Sequence, residues 1–127
     1  MKAQWSVNLS MNTPTTLSVL VPAYNEPYLV YASLERLKIL AESPLLERIE
    51  VIIVDDGSTD QTASVLRDFE RSISAEPNPK MKWVFFRHEV NQGKAAAIRT
   101  ALQRATAELA VTHDADLEYQ VPPRVLA

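Results

Sequence analysis

Short apolar runs alternate with amphipathic stretches along this chain, and that alternation constrains the fold more than any other feature. Leu17 to Val21 is apolar except for Ser18, and Ile49 to Val54 is mostly β-branched, with Glu50 its one polar residue. Met81 to Phe86 and Leu109 to Thr112 are the third and fourth such runs. Between them, apolar residues recur at helical spacing: Val30, Leu34, Leu37 and Ala41, then Thr62, Val65, Leu66, Phe69 and Ile73, then Ala97, Ile98, Ala101, Leu102 and Ala105. Near-continuous apolar strands are those covered on both faces. The order β-α-β-α-β-α-β therefore predicts an α/β fold: a doubly wound parallel sheet with helices on both faces, joined by right-handed crossovers.

Local punctuation agrees with this order. Pro27 precedes the first helix, and Ser43-Pro44 ends it because the residue before proline resists the α region. Thr59 or Asp60 is placed to cap the second helix, and Glu76-Pro77-Asn78-Pro79 marks the loop after it. The only two glycines, Gly57 and Gly93, each fall between a strand and a helix. That placement predicts positive φ or a close backbone approach, with an ordinary turn as the alternative. Residues 1–16, including Trp5, read as a disordered leader, and residues 17–127 as the folded unit.

Composition narrows the function. Thirteen basic and sixteen acidic residues give a net charge of -3, with no basic patch for nucleic acid or a membrane surface. The absence of cysteine excludes disulfides and thiolate metal sites and fits a reducing, cytoplasmic setting. No apolar run approaches the roughly 20 residues that span a bilayer.

Three acidic clusters each follow an apolar run: Pro22-Ala23-Tyr24-Asn25-Glu26, Asp55-Asp56-Gly57-Ser58 and His113-Asp114-Ala115-Asp116-Leu117-Glu118. Parallel strands that end in carboxylates place them along the sheet edge where such folds bind ligands. Asp114 and Asp116, two residues apart in an extended segment, face the same side, and Glu118 continues the series. With His113 turned away, this oxygen-rich set suits Mg²⁺ or Mn²⁺ rather than zinc. The bland reading is a solvated acidic turn. For Asp55-Asp56 the alternatives are a tight turn with a helix cap, or a site whose ligand supplies N–H or O–H donors to both carboxylates. Asn91-Gln92-Gly93-Lys94 opens the third helix and offers N–H groups and an ammonium to a phosphate, or is simply a capped helix start. Trp83, Phe85 and Phe86 read as core, His88 as a loop residue, and Arg99 as solvated or structural.

Taken together, these segments resemble family 2 glycosyltransferases of the GT-A fold. The likeness rests on Val19 to Glu26, Ile53 to Asp60, Asn91 to Arg99 and His113 to Tyr119, in that order. Within the family it is nearest to the polyprenyl- or dolichyl-phosphate mannosyl- and glucosyltransferases. The resemblance implies a Rossmann-like sheet in which Pro22, Ala23, Tyr24 and Glu26 line the nucleotide pocket. Asp55 and Asp56 would contact base and ribose, and Lys94 the diphosphate side. Asp114 would serve nucleotide and metal, with Asp116 and Glu118 completing the metal set. The implied reaction is inverting transfer of a sugar from a UDP- or GDP-linked donor to a polyprenyl phosphate or a glycan hydroxyl. The chain would then be the N-terminal donor-binding half, with the acidic general base beyond Ala127. Two other readings stay open at this point: a non-catalytic nucleotide-binding or self-associating module, joined through an exposed sheet edge, and a receiver-type α/β domain. The latter needs its acidic pair after the first strand, whereas here the pair follows the second.

Overall fold

The computed structural model describes residues 13–115. Its elements run β1 (Thr15–Ala23), α1 (Val30–Arg36), a 3₁₀ turn (Leu37–Glu42), β2 (Leu46–Asp55), α2 (Thr62–Ala75), β3 (Met81–Arg87), α3 (Lys94–Arg104) and β4 (Leu109–Thr112). The strands form one four-stranded sheet in the order β3-β2-β1-β4, with every pairing parallel. This is the doubly wound α/β architecture that the alternating pattern predicts.

The two-residue period of the strands sorts the core into two layers. Leu17, Val19, Val21, Ile49, Val51 and Ile53 turn to one face and pack against α1 and α2 through Val30, Leu34, Leu66 and Phe69. Leu20, Ile52 and Val54 turn to the other face, against Ala97 and Ala101 of α3. Phe69 is fully buried and meets Tyr31 and Trp83 edge-on, with ring centroids 5.1 and 5.0 Å away. The small residues of α3 let that helix lie close on the sheet.

The polar residues within the strands are satisfied in pairs. Ser18 donates to Glu50 Oε1 at 2.6 Å, and Glu50 also accepts the Thr106 amide at 2.5 Å and the Thr106 hydroxyl at 3.0 Å. Burial alone would push the Glu50 carboxyl up, but these donors reverse that and hold its pKa below the usual 4.5. The network ties the α3–β4 connection to the two central strands.

Several boundaries differ from the sequence reading. β1 starts at Thr15, inside the expected leader, because Thr15 continues the ladder with Leu46 and donates to the Leu45 carbonyl. Residues 1–12 lie outside the described residues. The first helix is α-helical only to Arg36 and tightens to 3₁₀ geometry before Ser43, whose extended backbone (ψ 124°) ends it ahead of Pro44. Leu102, expected in the core, is 53% exposed, because only one face of α3 meets the sheet. Arg99 is exposed, and the N-cap of α2 is Gln61 rather than Thr59 or Asp60, with Asp60 just before it accepting both the amide and the hydroxyl of Thr62. Among the described residues, no helix is long and apolar enough to cross a membrane.

Candidate functional site

The loops that leave the carboxyl ends of the strands are stitched to one another. After β1, Asn25 takes a left-handed conformation (φ 48°), which asparagine tolerates better than most residues. Its amide donates to Ser58 Oγ at 2.9 Å, and its side-chain carbonyl accepts the Thr59 amide at 3.0 Å. The Glu26 amide donates to the buried Thr62 hydroxyl at 2.9 Å. The first and second acidic loops therefore form one wall.

Asp55 ends β2 and Asp56 follows it, both almost fully buried, 3% and 2% exposed. Asp55 accepts the Ser58 amide and pairs with the Arg87 guanidinium, which also donates to the Ser58 carbonyl. Asp56 accepts from His88 Nδ1 (2.8 Å), the Asn91 side-chain amide (3.0 Å) and the amides of Gln92 and Gly93 (2.9 Å each). Burial alone would raise the pKa of Asp56, but the His88, Gln92 and Gly93 donors and the His88 charge outweigh it and hold it below 3.8. Beside the two readings of this acidic pair, a turn with a helix cap and a ligand's donors, the structure adds a third source: donors from the protein itself reach both carboxylates.

Both glycines have positive φ, 72° at Gly57 and 101° at Gly93. A Cβ at Gly57 would lie 2.5 Å from the Asn91 amide nitrogen and from the Val90 carbonyl carbon, so the β3–α3 loop crosses directly over it. At Gly93 a Cβ would meet nothing within 4 Å, and there the backbone conformation alone requires glycine.

After β4, the Ser33 hydroxyl lies 2.8 Å from His113 Nε2 and donates to the Asp114 carbonyl at 3.1 Å, fixing the start of the third acidic cluster. His113 indeed turns to α1. Burial holds its pKa below the usual 6.5, against the opposing influence of Ser33 and Asp114. The Asp114 carboxylate meets the Lys94 ammonium at 2.6 Å, with side chains 38% and 61% exposed.

These loops enclose a cavity of about 310 Å³ at the carboxyl edge of the sheet, lined by Pro22, Ala23, Tyr24, Glu26, Asp56, Asn91, Lys94, Asp114 and Ala115. All four strands contribute a following loop. In the order β3-β2-β1-β4 the chain reverses its winding between β1 and β4, the switch point where open α/β sheets bind ligands. Of the residues singled out from sequence, the structure brings together Pro22, Ala23, Tyr24, Glu26, Asp56, Lys94 and Asp114. Asp55 stands behind the wall, held by Arg87. Asp116 and Glu118 lie outside the described residues, and among those described no group of three or more His, Cys, Asp or Glu is arranged to hold a metal ion.

Sequence reasoning missed the supporting residues. His88 is not a plain loop residue: its side chain is 10% exposed and bridges Asp56 to Thr100, whose hydroxyl lies 2.8 Å from Nε2. Arg87 and Ser33 likewise stand outside that reading, and Asn91, read there as part of the opening of the third helix, binds Asp56 instead. Arg87 and His88 stand at the end of β3, a signal that marks many residues besides these, whereas Ser33 lies inside α1 and carries no such signal.

The fold and cavity define a doubly wound α/β domain with its ligand edge at the switch point. Residues 18–123 match the family model of Glycosyl transferase family 2, and the chain belongs to that family. It is 36% identical over 107 residues to an undecaprenyl-phosphate 4-deoxy-4-formamido-L-arabinose transferase of Aeromonas hydrophila, covering 84% of this chain and 30% of that protein. It is 33% identical over 100 residues to the uncharacterized glycosyltransferase YfnE of Bacillus subtilis, covering 79% and 23%. Among solved structures it resembles the mannosyltransferase PcManGT from Pyrobaculum calidifontis in complex with GDP-Man and Mn²⁺ (TM-score 0.65, 29% identity, 88% of this chain and 33% of that one). It also resembles S. aureus TarS in complex with UDP (TM-score 0.61, 28% identity, 80% and 27%). The fold is that of the GT-A glycosyltransferases. The chain spans about a third or less of the length of these relatives.

Proposed function

We propose that residues 17–127 form the donor-binding part of an inverting, metal-dependent glycosyltransferase that moves a sugar from a nucleotide-diphosphate sugar to an acceptor such as a polyprenyl phosphate or a glycan hydroxyl. One observation carries this: loops from all four strand ends converge on one polar cavity, with carboxylates and an ammonium on its walls. Pro22, Ala23, Tyr24 and Glu26 receive the base and ribose beside Asp56, with Asp55 bracing that wall from behind. Lys94 and the start of α3 receive the diphosphate. Relatives bear on the ligand: PcManGT is complexed with GDP-Man and Mn²⁺, TarS with UDP, and the Aeromonas protein is an undecaprenyl-phosphate transferase.

The donor set suits a hard divalent cation: oxygen ligands, no thiolate, and a carboxylate, Asp114, that already holds a cationic group 2.6 Å away. Asp114, Asp116 and Glu118 are the residues to hold Mg²⁺ or Mn²⁺, which when bound neutralises charge on the departing nucleoside diphosphate. The chain's own residues bind and orient the donor. Lys94 exchanges its contact with Asp114 for the diphosphate, and the Ser33 hydroxyl keeps the Asp114 backbone in place. We place this chemistry in the cytoplasm, at the membrane surface when the acceptor is a polyprenyl phosphate.

Calorimetric titration of UDP and GDP, with and without Mn²⁺, tests the reading. Metal-dependent binding of one nucleotide supports it, and no binding to a folded chain refutes it for these residues. A second reading, a self-associating module, is favoured by β4, an edge strand with Leu109 53% and Val111 48% exposed. A monomer by light scattering at high concentration removes it.

A further inference from the structure

We propose that His88 is a positioning residue for this site, acting through Asp56 on the loop that presents Asn91 and Lys94 to the cavity. The inference rests on reading the cavity as a nucleotide-diphosphate site. An ionised carboxylate offers about four lone-pair sites. Among the described residues the donors to Asp56 number four and all come from residues 88–93: the His88 ring, the Asn91 amide group, and the backbone of Gln92 and Gly93. Asp56 is therefore the centre around which the β3–α3 loop is wound, and Lys94 begins α3 directly after the last of these donors.

His88 is the donor that gives this centre a fixed orientation. A carboxylate accepts only, so His88 Nδ1 carries the hydrogen in the contact with Asp56. Nε2 then meets the Thr100 hydroxyl, on the second turn of α3. The His88 backbone amide is itself held by the Asp55 carbonyl at 2.9 Å, which fixes the ring at its base. One largely buried ring thus links the end of β2 to the body of α3, so the carboxylate and the helix that carries Lys94 keep a set separation. Gly93 also reaches α3, its carbonyl accepting the Ala97 amide at 3.0 Å in the first turn, and His88 adds the tie one turn further along, at Thr100.

The test uses the two halves of the imidazole separately in the full 127-residue chain. His88→Asn keeps an N–H near the Nδ1 position and gives up Thr100, whereas His88→Gln extends to the Nε2 position and gives up Asp56. Backbone hydrogen exchange is read at Gln92 and Gly93, with Val19 and Ile52 as strand controls. The expected result is exchange at Gln92 and Gly93 faster by about tenfold in His88→Gln and His88→Ala, with the strand amides unchanged and His88→Asn largely restored. Uniform acceleration at all four amides, or none, overturns the proposal. If His88→Ala does not fold, the Asn and Gln pair decides alone. In parallel, the Kd for UDP or GDP is expected to rise about tenfold in both His88→Gln and His88→Asn, since each keeps one end of the bridge and gives up the other. An unchanged Kd in His88→Gln overturns the positioning role even where exchange responds. A wild-type chain that binds neither nucleotide refutes the reading of the cavity, while the exchange result still decides what His88 does to the loop.

Discussion

Replacing Gly57 with alanine tests how closely the second and third strand-end loops must approach. The added methyl carbon would lie 2.5 Å from two backbone atoms of Val90 and Asn91, well inside contact distance, and neither atom belongs to a flexible side chain. An L residue at φ 72° costs about 1–2 kcal/mol. Relieving the overlap by moving the β3–α3 loop costs about 1–3 kcal/mol more. The expected loss is about 2–5 kcal/mol, a large share of the roughly 5–15 kcal/mol that holds a domain folded. Moving the loop also draws Asn91, Gln92 and Gly93 away from Asp56. Urea unfolding measures the loss as a midpoint shift of about 1 M or more. Gly93→Ala is the control: its φ of 101° is strained as well, at about 1–3 kcal/mol, but no neighbour lies within 4 Å to be displaced. Exchange at the Gln92 and Gly93 amides should therefore quicken far more in Gly57→Ala. An unchanged unfolding midpoint for Gly57→Ala, or a smaller loss than for Gly93→Ala, refutes the crowding argument.

Truncating Phe69 to alanine removes the ring between Tyr31 and Trp83 and should cost about 3–5 kcal/mol, read by the same urea titration, with no effect peculiar to the cavity. Lys94→Met should change stability by about 1 kcal/mol or less, since its pair with Asp114 is solvent-screened, yet weaken UDP or GDP binding about tenfold in calorimetry. Acid should destabilise the fold in two stages. His113, Glu50 and Asp56 all have folded pKa values below their usual 6.5, 4.5 and 3.8, so the unfolded chain binds more protons. The His113 contribution is present above 6.5 and lost as pH falls through its lower folded value, and the carboxylate contributions are lost below about 4.5; thermal melts from pH 8 to pH 3 follow both stages.

The layering of this fold was legible because burial on both faces leaves a plain mark: Ile49 to Val54 tolerates one polar residue, and the apolar spacing from Thr62 to Ile73 fits only a helix laid on that sheet. Strand ends were less so. Thr15 and Thr16 are polar, and only their ladder to Leu46 and Arg48 makes them strand. Much of the cavity wall was legible too, since the carboxylates stand next to predicted strand ends and Lys94 opens a predicted helix. What stayed hidden were contacts between segments far apart in the chain. Nothing around His88 announces that Asp56, 32 residues earlier, lies within hydrogen-bond distance. Nor does Ser33 reveal that it holds the Asp114 carbonyl 81 residues later. For the Asp55-Asp56 pair only the Ser58 donor is local; the others arrive from the next strand and loop, which local reasoning does not see.

The position of β4 also sets an order of assembly. β1 meets β2 after closure of a loop of about thirty residues, but reaches β4 only across about ninety. At roughly 0.6 kcal/mol for each doubling of loop length, that second closure costs about 1 kcal/mol more in chain entropy. β4 repays it with only four paired residues, all exposed, helped by the hold of Glu50 on Thr106. The strand that delivers Asp114 is therefore the last to join the sheet and the first to leave it. Nucleotide bound between Asp114 and the older loops would act as a clasp on that strand, so occupancy of the cavity and closure of the sheet become a single event.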